Sequence, residues 1–143
     1  MVPSTFGGDA GAVPGVIRLL VADDSPAVRR GVIHLLANRD EFLVVGEAEN
    51  GRVALRLAQL LEPDVVLMDI SMPVLDGLAA ARALAGTRAL VGTGKTPAVV
   101  LFSAWVDPQR LAEASAAGVA GHVLKDAPAE ELLAALRTAA ADP

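Results

Sequence analysis

Five side chains in the sequence could act together: the adjacent acids Asp23 and Asp24, the acid Asp69, the hydroxyl of Ser103 and the amine of Lys125. They stand at the ends of four short, mostly apolar runs, Val16–Ala22, Val65–Met68, Ala98–Phe102 and Gly121–Leu124. Three carboxylates brought close repel one another, and a hard divalent cation relieves that repulsion. Mg2+ prefers a few carboxylate oxygens and keeps several waters. A cation held there can neutralise a phosphoryl group while one carboxylate attacks phosphorus. Ser103 could then donate a hydrogen bond to one phosphoryl oxygen and Lys125 pair with another. A lone strand-end acid reads as a loop cap; acids, hydroxyl and ammonium at successive strand ends read as a site.

The elements that must position these groups follow from the apolar pattern. Val65–Met68 has no polar break, as suits a strand buried on both faces. It stops at Asp69, and Met72-Pro73 and Asp76-Gly77 then read as loop and turn. A first strand spans 16–22, a second 42–47, a fourth 98–102 and a fifth 121–124. Ser25 before Pro26 opens a helix with Val28, Val32, Leu35 and Leu36 on its buried face and Arg29 and Arg30 on its solvated side. Asn50 caps a second helix reaching Leu61, with Ala54, Leu57, Ala58 and Leu61 as its stripe, and Pro63 ends the segment. A third runs from about Asp76 to Leu84. Asp107-Pro108 starts a fourth, which Gly118 closes, and Pro128 opens a fifth with Glu130 and Glu131 in its first turn. Five strands alternating with five helices imply an α/β fold with a parallel sheet covered on both faces and right-handed crossovers. Its ligand site belongs at the carboxyl ends of the strands.

The 143 residues suffice for one domain, read as a unit over 16–140 with a flexible leader at 1–15 and a short end at 141–143. With 53% hydrophobic and only 3% aromatic residues, Ala, Val and Leu must build the core. The absence of Cys excludes a disulfide framework and a thiolate nucleophile. Twelve basic residues are scattered among seventeen acidic ones, net charge −5, so this chain alone is not expected to grip nucleic acid. No apolar run is long enough to span a membrane, and a cytoplasmic protein is expected.

Asp23-Asp24, Asp69 with Met72-Pro73 and Asp76-Gly77, Ser103-Ala104 and Gly121-His122-Val123-Leu124-Lys125 resemble the receiver domain of two-component response regulators. The resemblance covers about residues 16–140. Leu124 to Leu132 is most similar to the NarL/FixJ branch, which couples a receiver to a helix-turn-helix output. The resemblance implies a flavodoxin-like (CheY-like) doubly wound sheet of order 2-1-3-4-5. It implies that Asp69 accepts a phosphoryl group from a sensor histidine kinase. Asp24, Asp69 and the backbone carbonyl of Ser71 would ligate Mg2+, and Asp23 would act through a metal-bound water. Ser103 would follow the phosphoryl group inward and Lys125 would bind its oxygens. It further implies a phosphorylation-dependent homodimer, and an output domain beyond this chain that binds DNA.

The switch position three residues before the Lys is often Tyr or Phe in that family; here it is His122, which can rotate inward but also titrates near neutral pH. Asp126 stands where many receivers have Pro. Residues 86–96 read as an unusually long connection, with a Gly92-Thr93-Gly94-Lys95-Thr96 run that lacks the first Gly of a phosphate-binding loop, Ala89 being there. His34 has no metal-spaced companion and reads as structural. Trp105 reads either as packing or as part of a surface that moves with phosphorylation. Two other functions compete: a phosphatase with Asp69 as nucleophile, and a receiver that only docks partners. The first needs a second acid two residues on, where Ser71 stands; intact Asp24, Asp69, Ser103 and Lys125 oppose the second.

Overall fold

The computed structural model describes residues 15–91, 96–105 and 107–141, with side chains of 86–91 not described. Ten elements alternate along the chain: β1 (Ile17–Ala22), α1 (Pro26–Ala37), β2 (Phe42–Ala48), α2 (Gly51–Leu61), β3 (Val65–Met68), α3 (Gly77–Val91), β4 (Ala98–Ser103), α4 (Pro108–Ala116), β5 (Gly121–Leu124) and α5 (Ala129–Ala141). The strands form one parallel sheet of order β2-β1-β3-β4-β5. The expected doubly wound architecture is the one observed. The leader, apart from Gly15, and positions 92–95 and 142–143 lie outside the described residues.

The apolar runs alternate between two cores, because successive side chains of a strand point to opposite faces. Leu20, Val66, Met68, Val99 and Leu101 pack under α2, α3 and α4 against small residues such as Ala54, Ala58, Ala80, Ala81 and Ala114. Leu19, Val21, Val65, Leu67, Val100 and Val123 pack under α1 and α5 against Val32, Leu36, Leu133 and Leu136. Alanine-rich helix faces let the helices close on a sheet whose own Val and Leu supply the volume. This is how a chain with few aromatics fills two cores.

Each cap named above acts as its residue type predicts. Ser25 accepts from the Val28 N–H, Asn50 from Val53 and Asp107 from Arg110. Asp76 does the same for α3, from the Ala79 N–H. The expected long connection at 86–96 is corrected: α3 continues to Val91. One interior Gly costs a helix only about 1 kcal/mol, and the Arg, Ala and Leu that follow Gly86 carry the helix past it. The two helices flanking β5 differ in anchorage. α5 buries Leu132, Leu133, Leu136 and Ala139, whereas α4 buries Ala114 alone. Trp105, just before α4, is exposed and does not serve packing.

Candidate functional site

The parallel register brings the carboxyl ends of β1, β3, β4 and β5 to one edge, and four short connections leave from there. Asp23 follows β1; its N–H is fixed by the carbonyl of Ala48 at the end of β2. Its Oδ1 accepts from the Ser25 N–H at 2.9 Å, so the α1 cap turn also orients the acid. Asp69 follows β3, its N–H bonded to the Ala22 carbonyl at 2.9 Å and its Oδ1 accepting from Ser71 N–H at 3.2 Å. Lys125 follows β5, held by an N–H bond of 2.7 Å to the Ser103 carbonyl. Asp23, Asp69 and Lys125 are thus each positioned by the first ladder bond beyond their strand, which ties them to the neighbouring strand.

The side chains converge. Lys125 Nζ donates to Asp69 Oδ2 at 3.3 Å and lies 2.7 Å from Asp23 Oδ2. One carboxylate oxygen from each of Asp23, Asp24 and Asp69 lies within 4.8 Å of the other two. Asp23 and Asp69 are buried and Asp24 is exposed. Ser103 is buried, and its Oγ lies 3.0 Å from Nε2 of His122. The Lys125 ammonium also sits 5.8 Å from the centroid of the Phe102 ring.

Burial raises the Asp69 pKa above its usual value; the Ser71 N–H opposes this, Asp23 adds to it, and Lys125 opposes it. Burial alone would lower Lys125, but its contacts with Asp23 and Asp69 outweigh that and raise it. The ion pair therefore registers on the lysine, while the carboxylate is governed by desolvation and its like-charged neighbour. Burial also lowers His122, favouring the neutral ring.

The donor set fits a hard cation. Asp23 Oδ2 is buried and lies 2.7 Å from the Lys125 ammonium, which it shares with Asp69. Three clustered carboxylates with one ammonium leave an excess of negative charge that a hard cation would offset. Asp23, Asp24 and Asp69 each bring one oxygen to that cluster, and all three are oxygen donors.

The loop between β3 and α3 closes against Asp69 through two glycines. A Cβ on Gly77 would fall 2.1 Å from the Asp69 carbonyl oxygen, and one on Gly51 would fall 1.9 Å from that of Leu75. Between them Val74 adopts φ 70°, and the Leu75 N–H bonds the Pro73 carbonyl at 2.7 Å, a γ-turn of the strained hand. The expectation of a solvated Arg29 is corrected. It pairs with Glu47 of β2 and donates to the Asp23 carbonyl, clamping the acid-bearing end of β1. Sequence reasoning missed Arg29 and Gly51. Both depend on partners far along the chain, Glu47 and Leu75, and no local signal marks them. His34 is exposed on α1 and stands apart from the acid cluster.

The chain matches the model of the family described as response regulator receiver domain over residues 19–137. It is 40% identical over 122 residues to the response regulator GacA of Pseudomonas viridiflava, covering 85% of this chain and 54% of that protein. It is 37% identical over 123 residues to the nitrate/nitrite response regulator protein NarL of Escherichia coli K12, covering 86% and 54%. A solved signal receiver domain from Mycobacterium tuberculosis superposes with a TM-score of 0.82 at 35% identity, over 91% of this chain and all of that one. The chain spans about half the length of the curated relatives it matches.

Proposed function

The chain belongs to the response regulator receiver domain family, and from that premise we propose that Asp69 is its phosphoacceptor, charged by the phosphohistidine of a sensor kinase. The observation that carries the reading is the Lys125 ammonium bridging Asp23 and Asp69, two of three clustered carboxylates. An Asp69 oxygen attacks phosphorus, the bond from phosphorus to the kinase imidazole breaks, and the imidazole leaves with its electron pair. Lys125 then has a phosphoryl oxygen to pair with in place of the bare carboxylate. Asp24, Asp69 and the Ser71 carbonyl would hold Mg2+ directly, and Asp23 would act through a water. When bound, the cation offsets the negative charge that the transferring group brings to the cluster. An apolar groove of about 310 Å3 between α1 and α5, lined by Val28, Val32, Leu35 and Leu132 and reaching Lys125, offers the kinase an approach to the pocket.

The modified domain acts as a switch: a dianion on Asp69 draws on Ser103 and Lys125 and shifts the loops that carry them. We assign it no turnover of a separate substrate. Ser71 occupies the position where an aspartyl phosphatase needs its second acid, which disfavours that alternative. The readout proposed is a phosphorylation-strengthened homodimer that drives a DNA-binding output domain outside this chain, in the cytoplasm.

Incubation with acetyl phosphate and Mg2+, followed by mass spectrometry of the modified peptide, tests the reading. The expected result is one acid-stable, base-labile phosphoryl group on Asp69, absent from Asp69→Ala. An equal mark in that variant, or none on the wild type, defeats it.

A further inference from the structure

Ser103 has one proton, and its direction is set by His122. The two residues lie on the same face of the sheet. Leu101 and Val123 mark the two cores, and by alternation Ser103 and His122 both point to the side covered by α3 and α4. Their Oγ and Nε2 atoms are 3.0 Å apart. If Nε2 carries a lone pair, Ser103 donates to it, and its hydroxyl proton is unavailable to any oxygen on Asp69. If Nε2 carries a proton, the ring donates to Oγ, and the hydroxyl is free to donate elsewhere. The imidazolium always carries that proton; the neutral ring does so in one tautomer only.

On the reading above, a phosphoryl group on Asp69 asks Ser103 for its proton and adds negative charge to the carboxyl edge of the sheet, where Ser103 ends β4. Both demands favour protonated His122. The described charged groups of α3 and α4 have partners of their own, although Nε of Arg110 is buried without a hydrogen bond. Arg110 of α4 pairs with Asp76, Glu113 of α4 with Arg82 of α3, and the Asp107 carboxylate caps α4. Lys125 is held by Asp23 and Asp69. Among these described contacts, Ser103 is the group that touches the ring.

We propose that His122 is a positioning residue that acts through Ser103, and that occupation of Asp69 by a phosphoryl group is coupled to proton uptake at its imidazole. This rests on the phosphoacceptor reading of Asp69. Coupling is reciprocal, so lower pH tightens the activated state and the activated state raises the titration of the ring. The burial that favours the neutral ring in the unmodified chain gives the switch its starting state.

The test uses the whole chain with beryllofluoride and Mg2+ as the phosphoryl mimic. The His122 ring is followed by NMR against pH in free and bound chain, with His34, exposed on α1, as internal reference. Affinity is measured at about pH 5.5 and about pH 8, either side of the ordinary histidine range. The expected result is a His122 titration displaced to higher pH in the complex. Wild-type affinity should be up to about tenfold tighter at the acidic end, relative to variants lacking the coupling. His122→Asn, which keeps a hydrogen-bonding group without a titration, should bind without that extra pH dependence, and so should Ser103→Ala. An unchanged His122 titration, or an equal pH dependence in wild type and His122→Asn, overturns the proposal while leaving Asp69 as phosphoacceptor. No uptake of beryllofluoride by the wild type at either pH would overturn both.

Discussion

The middle of the sheet and its carboxyl edge obey opposite rules. In the middle, Leu19, Leu20, Val65, Val66, Val100 and Leu101 are fully buried and wholly apolar, and their backbone groups are paired strand to strand. At the edge, two buried carboxylates share one ammonium, a serine hydroxyl is tied to an imidazole, and a β-branched residue is held at positive φ. The first region satisfies every local preference. The second violates several at once, and it persists because the strands beneath it are over-determined. Stability and chemistry are thus separated by only a residue or two along each strand, and substitutions on either side of that line should differ in sign.

The largest effect belongs to the middle. Leu67→Ala removes a side chain 1% exposed, two residues before Asp69 and facing the core under α1 and α5. It should cost about 2–5 kcal/mol in urea unfolding. Asp69→Ala should cost nothing by the same measurement; equal losses would break the contrast. Gly77→Ala tests the boundary itself. In a helix, Gly→Ala ordinarily stabilises by about 1 kcal/mol. Here the added Cβ meets the Asp69 carbonyl, so the sign should reverse, with a loss of about 1–3 kcal/mol from forced displacement and weaker phosphotransfer to Asp69.

The same line divides what the sequence discloses from what it conceals. Both cores and the convergence of Asp23, Asp69 and Lys125 follow from apolar runs that end in polar residues, because parallel strands must align their carboxyl ends, whereas the strand order came only with the family resemblance. The caps at Ser25, Asn50 and Asp107 were legible because capping is local. The reach of α3 past Gly86 was not, since one glycine is a weak stop signal. Arg29 was misread because its helical position is exposed by pattern, and only the fold brings Glu47 and the Asp23 carbonyl to it. His122 could be placed at the switch position by resemblance, but its bond to Ser103 depends on the register of β4 against β5.

Asp69→Asn should sharpen the contrast from the edge side. The folded-state pKa of Asp69 lies above its usual 3.8, chiefly through burial, so folding favours the protonated acid. At neutral pH the ionised carboxylate therefore subtracts from stability. The penalty is fully present above the raised value, shrinks as pH falls through it, and is gone below the unfolded value. In metal-free buffer the asparagine variant should melt higher than wild type at neutral pH, with the two curves meeting at acidic pH. A variant that melts lower at neutral pH would show that the Lys125 attraction, not desolvation, governs this site.

The smallest effect isolates backbone strain from charge. Val74 is 70% exposed and its side chain supports no core, yet it holds φ 70°, a region that β-branched residues avoid. The turn it centres is fixed from both sides, by the Pro73 carbonyl bonded to the Leu75 N–H and by Gly51 and Gly77, which admit the loop close to the sheet edge. Asparagine tolerates that conformation, so Val74→Asn should stabilise the chain by about 0.5–1 kcal/mol, part of the strain that such residues store. Unlike the Asp69→Asn gain, this one should be independent of pH, because no titrating group is removed. If it disappeared at acidic pH together with that of Asp69→Asn, the turn and the carboxylate would be one coupled unit, and strain at the edge could not be separated from its charge.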